Sequence, residues 1–287
     1  MTTGASAPAR NGAGPPRGSR RRAEVRARLP IWVIALAVLA VATLVLPLVA
    51  LFPRVEWSNF PAAISSPEAL FALGLSLRTG AVAVICCLVL GIPLALLLSR
   101  APEGLAAVLR TLVTLPLVLP PLVGGMALLY LFGRNGWLGQ MLEVIGISVP
   151  FTSAAVVLAQ TFVAMPFLVL SLEGSLRTAG SRYEQVAATL GAGSWTVLRR
   201  ITLPLVLPGL AAGTVLAFAR AVGEFGATAM VAGNRPGATQ TVPMAIYTAF
   251  NGAGVDRDAA LALAVLLVVV ALVILIGLRD WRRRVVW

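Results

Sequence analysis

Residues 184–204 read EQVAATLGAGSWTVLRRITLP. Long runs of Leu, Val and Ala lie on either side, whereas this stretch carries a glutamate, the adjacent Arg199 and Arg200 and two glycines, and ends at a proline. Ser181 with Glu184 three residues on has the S-R-Y-E spacing of a capping box, a start signal for a helix. Tyr183, Val186, Ala187 and Leu190 then recur at i, i+3, i+4 and i+7, one apolar stripe on an otherwise polar helix. Gly191 and Gly193 stop that helix, because glycine takes left-handed dihedrals without penalty. Ser194 is placed to cap a second short helix, with Trp195 and Leu198 on one side and the two arginines on another. Pro204 ends that helix or starts the next apolar run. The expected form is helix, glycine elbow, helix. Such a segment serves either as a connector resting on lipid headgroups or as a knob offered to a partner. The second suits an elbow more ordered than a connector of about 30 residues requires.

The flanking runs set the solvent. Of 287 residues 59% are hydrophobic and 12% charged, and the mean hydropathy is +0.91. That charged share is about half of what a soluble domain carries. Six apolar runs, 31–52, 70–98, 112–132, 154–172, 205–232 and 259–278, each hold at least 19 residues. At about 1.5 Å per residue these cross most or all of a ~30 Å hydrocarbon layer. Backbone groups there must be satisfied internally, so helices are the expected form. Strict two-residue alternation is missing, which removes a β-barrel. The expected fold class is all-α: a polytopic membrane protein of six transmembrane helices with a helical elbow between the fourth and fifth. Residues 1–29 read as a disordered basic arm, 30–68 as a first span with its outer connection, 69–279 as the main transmembrane domain, and 280–287 as a basic tail. The first run is longer than a signal-peptide core and is expected to be retained.

Charge placement orients the chain. The net charge is +12, and all 23 basic residues are Arg, with no Lys and no His. Nucleic-acid binding needs a solvated basic face; these arginines fall mostly in connections between apolar runs. With the N-terminal arm inside, seventeen arginines lie on the inner side and four on the outer, leaving aside Arg78 and Arg220 within apolar runs. Both termini and the elbow are therefore expected in the cytoplasm.

Absences narrow the chemistry. Without His there is no Ser–His triad and no H-E-x-x-H zinc site. Without Lys there is no G-x-x-x-x-G-K-[ST] phosphate loop, so ATP is not held in that way. Cys86 and Cys87, adjacent in an apolar run, form neither a disulfide framework nor a metal pattern. Pro93, the stretch LPLVLPPLVGG at 115–125, and Pro166 interrupt three spans, as plain kinks or as bends that let a path open.

Residues 219–250, ARAVGEFGATAMVAGNRPGATQTVPMAIYTAF, begin inside the fifth run. Arg220 and Glu224 stand at i and i+4, on one face of an uninterrupted helix. Facing lipid, each would cost about 2.5–3.5 kcal/mol at the bilayer centre. They therefore face protein or a wet cavity, either neutralising one another within the bundle or lining a path. Thr228, Asn234, Thr239, Gln240 and Thr241 supply neutral donors toward the outer end.

The 184–204 stretch resembles the cytoplasmic EAA loop of ABC-importer permeases: Glu-Ala-Ala, three residues, Gly, nine residues, Ile, any residue, Leu-Pro. Gly191, Ile201, Leu203 and Pro204 match at full spacing. Gln185, Val186 and Ala187 replace Glu-Ala-Ala, and Glu184 stands one position early. The resemblance implies that a coupling loop at about 173–204 seats in a cleft of an ATP-hydrolysing subunit, through Glu184, Gln185, Ala187, Gly191, Ile201, Leu203 and Pro204. Residues 223–228, 231–241 and 243–247 are similar to the molybdate branch of the same permeases; sulfate permeases share only the GEFG core. Together the likeness covers about 70–278. It implies a multi-pass homodimer in a bacterial cell membrane with two cytoplasmic ATPase subunits, which use the ATP and Mg, and an extracellular or periplasmic molybdate-binding protein. It implies import of molybdate or tungstate, with no catalysis, metal or cofactor in this chain. A sulfate or thiosulfate permease would be the same machine with other cargo; a channel or secondary transporter would need no ATPase. Tetrahedral dianions suit neutral N–H and O–H dipoles, and a transient path carries few charges because tight binding would stop release.

Overall fold

The computed structural model describes residues 30–252 and 257–285, with the backbone alone at 274–275 and 278–285. The expected basic arm at 1–29 lies outside the described residues. These are helical with connecting turns, and no strand occurs among them. In chain order the helices are α1 (Ile31–Val49), α2 (Phe60–Ile64), α3 (Pro67–Arg100), α4 (Glu103–Val118), α5 (Pro121–Phe132), α6 (Trp137–Val144), α7 (Ser153–Ala179), α8 (Arg182–Thr189), α9 (Ser194–Val197), α10 (Leu203–Val222), α11 (Gly226–Ala232), α12 (Val242–Phe250) and α13 (Arg257–Val285).

The chain divides within α1, at Leu46. None of the α1 side chains is buried, and its one polar side chain, Thr43, donates to the Leu39 carbonyl at 2.9 Å. That satisfies the hydroxyl inside the helix, as a hydrocarbon environment requires.

In the second unit α3, α7 and α10 pack together. α3 starts at Ser66, whose hydroxyl accepts from the Ala69 N–H at 3.3 Å, with Pro67 as its first helical residue. α7 starts in the same manner at Thr152, which accepts from the Ala155 N–H at 3.4 Å. The three helices meet through small side chains: Ala83 and Cys87 of α3, Ala164 of α7, and Ala217 and Ala221 of α10. Lipid is as apolar as a helix flank, so close backbone approach and interhelical bonds do the holding. One such bond runs from the Ser171 hydroxyl to the Gly209 carbonyl at 3.1 Å.

Two expected spans are broken. The run 112–132 is not one helix: α4 and α5 meet at residues 119–120 with a bend of 110°. Pro120 and Pro121 stand together there, and a residue preceding proline is pushed out of the helical region. The run 205–232 likewise divides at residues 223–225 into α10 and α11. Pro93 and Pro166, by contrast, lie inside continuous helices. Among the described residues four helical stretches are long and apolar enough to span a membrane: Ile31–Arg54, Pro67–Arg100, Ser153–Ala179 and Ser194–Val222; the bent α4–α5 pair makes a fifth if it is one span. The sixth expected run, 259–278, lies on α13, where not all side chains are among those described.

The stretch Ser194–Val222 joins the elbow to the bundle. α9 passes through a π turn, Leu198–Thr202, directly into α10, with no interruption at Pro204, which sits in the first turn of α10. Proline is tolerated there because the first-turn N–H has no intrahelical acceptor.

Gly125 of α5 offers a test of the packing. A Cβ at that position would lie 2.7 Å from the Ala227 backbone of α11, whereas at Gly104 of α4 nothing lies within 4 Å. Gly125→Ala is expected to lower unfolding free energy by about 1–3 kcal/mol. Gly104→Ala should raise it by up to ~1 kcal/mol through helix propensity. Thermal unfolding of the detergent-solubilised protein measures both.

Candidate functional site

The elbow forms, but with different end chemistry from that expected. α8 ends in a Schellman arrangement: the Ala192 N–H donates to the Ala187 carbonyl and the Gly191 N–H to the Ala188 carbonyl, both at 3.0 Å. Gly191 has φ +81°, the left-handed geometry expected of it. The capping box is not made. Ser181 has near-helical dihedrals and caps no backbone N–H; its hydroxyl accepts from Gln185 Nε2 at 2.9 Å. Glu184 turns away from the helix start and accepts from Arg100 Nη2 at 3.0 Å and from the Thr202 hydroxyl at 2.5 Å. A guanidinium is a stronger donor to a carboxylate than a neutral backbone N–H. Nor does Ser194 cap α9: Gly193, extended at φ −68° and ψ 156°, holds the cap position.

The apolar stripe does not pack on the body of the chain. Tyr183, Val186 and Leu190 are exposed, Leu190 by 83%, and Trp195 follows with 72%. Ala187 is half-buried and Gln185 exposed. Farther on, Val197 and Thr202 are buried, Ile201 and Leu203 half-buried, and Pro204 exposed. The expected coupling residues thus occupy one local structure. Tyr183, Val186, Leu190 and Trp195 face out of it, and its one acid faces in.

A second acid escaped the sequence reading. Glu173 of α7 is buried and pairs with Arg110 of α4, through Nε at 3.3 Å and a further contact from Nη2, and with Arg177 Nη1 at 3.5 Å. The i, i+4 spacing of Glu173 and Arg177 was visible in sequence, but the principal partner stands 63 residues away.

At the α10–α11 break the expected pair of Arg220 and Glu224 forms, with Nη1 and Oε2 2.6 Å apart. It is not made on one helix face, since α10 ends at Val222. Leaving the helix frees Glu224 to reach both ways: its Oε1 accepts from the Ala227 N–H at 2.7 Å, satisfying a donor of the first turn of α11. Both oxygens of this fully buried carboxylate are engaged.

The expected neutral donors divide into two groups. Asn234 donates to the Thr248 hydroxyl at 2.7 Å, Gln240 donates to Asn234 Oδ1 at 3.0 Å, and the Thr239 hydroxyl accepts from the Arg235 N–H at 3.1 Å. These three hold the 233–241 loop together. Thr228 and Thr241 are buried with hydroxyls that find no partner, and so is Gln160 of α7, with neither amide atom bonded. Ser76 of α3 accepts from the Val242 N–H at 2.8 Å, tying the start of α12 to the bundle. Among the described residues no three His, Cys, Asp or Glu side chains gather as a metal site.

Removing Glu173 tests whether its cluster holds α4 to α7. Breaking a buried ion pair typically costs about 3–5 kcal/mol. Arg110 is 37% exposed, which lowers the expectation for Glu173→Gln to about 2–3 kcal/mol of unfolding free energy. Arg134→Ala, which breaks the exposed pair with Glu143, should cost under about 1 kcal/mol. Equal effects would remove the structural role assigned to Glu173.

Residues 87–285 match the family described as "Binding-protein-dependent transport system inner membrane component". The molybdenum transport system permease protein ModB of Mycobacterium tuberculosis is 54% identical over 249 residues, covering 87% of this chain and 93% of that relative. ModB of Escherichia coli K12 is 41% identical over 215 residues, covering 75% and 93%. A solved bacterial ABC transporter "involved in the import of the acidic polysaccharide alginate" superposes with a TM-score of 0.68 at 19% identity, over 88% of this chain and 95% of that one. The MetNI methionine ABC transporter, inward facing, gives 0.58 at 20% identity over 77% and 99%. The solved structures carry the fold and the family match carries the kinship: this chain belongs to the binding-protein-dependent transport system inner membrane components, the membrane-spanning permease subunits of ABC importers.

Proposed function

We propose that this chain forms the translocation path of an ATP-driven importer of molybdate or tungstate, as a homodimer coupled through residues 182–204 to two cytoplasmic ATP-hydrolysing subunits. The observation that carries the coupling is the outward stripe of Tyr183, Val186, Leu190 and Trp195. A contiguous apolar surface on an otherwise polar segment marks a site of contact with another molecule. The Gly191 turn holds it in one shape, and the continuous helix behind it, Ser194–Val222, gives it a stiff connection. Over 29 residues that helix is about 43 Å long at ~1.5 Å per residue, enough to carry a displacement across the membrane.

In this reading the ATP and Mg belong to the partner subunits, and this chain performs no hydrolysis and holds no cofactor. The arginine bias supports a cytoplasmic position for both termini and the elbow, and in this reading a binding protein delivers cargo to the opposite face. ATP draws the two motor subunits together, the elbows follow, and the path changes from inward- to outward-facing; after hydrolysis it returns and releases the ion inside. Molybdate is supported by the names of the relatives at 54% and 41% identity. The local electrostatics agree. Arg220 neutralises Glu224 at 2.6 Å, so the carboxylate does not repel a dianion.

Gly191→Val tests the coupling. A β-branched residue at φ +81° is strained by about 1–2 kcal/mol or more, so the elbow should lose its shape while the spans stay folded. Expression in the membrane is expected to hold, and stimulation of ATP hydrolysis by the loaded binding protein should fall to the basal rate. Full stimulation would remove the coupling role. For the cargo, uptake of radiolabelled molybdate into vesicles carrying the whole complex should be competed by tungstate and not by equimolar sulfate. Equal competition by sulfate would reassign the transporter.

A further inference from the structure

Glu184 stands on the elbow, yet its carboxylate faces the transmembrane body. Its Oε1 accepts two hydrogen bonds, from Arg100 and from Thr202, residues 84 and 18 positions distant in the chain. Arg100 is the last residue of α3, and Thr202 closes the π turn that runs into α10. One oxygen atom thus joins the elbow's first helix to the ends of two of the three central helices.

Packing gives α8 little hold of its own. None of its eight residues is buried, and glycines with positive φ lie on both sides, Gly180 at +67° and Gly191 at +81°. With so little packing, α8 and its bonded Gly191 turn would swivel as one piece when pushed. The bonds at Glu184 oppose that swivel. They are charge-assisted, and the side chain is held at 25% exposure beside the buried Thr202. Tyr183, Val186 and Leu190 point outward from the same segment, among exposed polar side chains such as Arg182, Gln185 and Thr189, whereas the Glu184 carboxylate is bonded toward the bundle and is not free to be the surface a motor grips.

We infer that Glu184 is a positioning residue that locks the elbow to the inner ends of α3 and α10, so that force applied at the apolar stripe moves both helices together. This rests on the coupling role proposed above. Loss of the lock leaves the docking surface in place and lets the elbow turn idly under load.

The test uses the full complex in proteoliposomes, with a photo-crosslinking amino acid at Leu190 and with radiolabelled molybdate delivered by its binding protein. In Glu184→Gln and in Arg100→Gln, crosslinks from position 190 to the ATP-hydrolysing subunit are expected to persist. Molybdate carried per ATP hydrolysed should fall about fivefold or more, the low end of coupling between distant sites. Thr202→Val should lower the same ratio in the same direction. The exchange Glu184→Arg with Arg100→Glu should restore much of it, a rescue that a motor contact at Glu184 would not give. Loss of the crosslink in Glu184→Gln would make Glu184 part of the docking surface and overturn the inference, as would an unchanged ratio of transport to hydrolysis. Failure of the unsubstituted complex to crosslink from position 190 is a different result, because it would remove the coupling role itself.

Discussion

Close approach of helix backbones in a medium without water is the constraint on which this structure depends. In hydrocarbon, burying a leucine against another leucine gains little over burying it against lipid, so α3, α7 and α10 are held by contact distance and by the few bonds between them. Ala83, Cys87, Ala164, Ala217 and Ala221 permit that approach, and the Ser171–Gly209 bond exploits it. The same demand explains why the buried acids take their partners inside the protein. Glu173 finds Arg110 and Arg177, Glu224 finds Arg220 and a backbone N–H, and Ser76 receives the Val242 N–H.

Several of the chain's side-chain bonds sit where helices end or break. Glu224 fills the turn between α10 and α11, Ser76 holds the first turn of α12, and Glu184 ties α8 to the ends of α3 and the π turn. A helix interior satisfies its own backbone; its ends do not, and in a membrane protein the ends are where a side chain gains most by bonding. Glu224, Ser76 and Glu184 therefore mark joints of the chain. The long apolar stretches between those joints act as stiff members.

The elbow follows the same logic on the watery side. Gly191 fixes its angle, Glu184 fixes its inner face, and the stripe from Tyr183 to Trp195 is left exposed among the described residues. That division of labour suits a part that is held firmly from within and gripped from without. Its second arm is the beginning of α10.

The sequence by itself determined what depends on composition and on neighbours a few positions away. Apolar runs of sufficient length called for membrane helices, the Pro120–Pro121 pair stood at the 110° bend between α4 and α5, and Gly191 stopped α8 with positive φ, because propensity and dihedral preference are local. The spacing of Gly191, Ile201, Leu203 and Pro204 carried the family for the same reason. Only the tertiary structure decided which way a side chain faces and which partner it takes. Glu184 looked like a helix cap and became a tie to Arg100; Glu173, which drew no expectation from its neighbours, became a buried cluster with Arg110. Asn234, Thr239 and Gln240 looked like a set of free donors and spent their bonds on their own loop, while Thr228 and Thr241 did not. The choice rests on residues brought close by the packing of other helices, up to 84 positions away. A carboxylate takes the strongest donor within reach, and reach is a property of the fold.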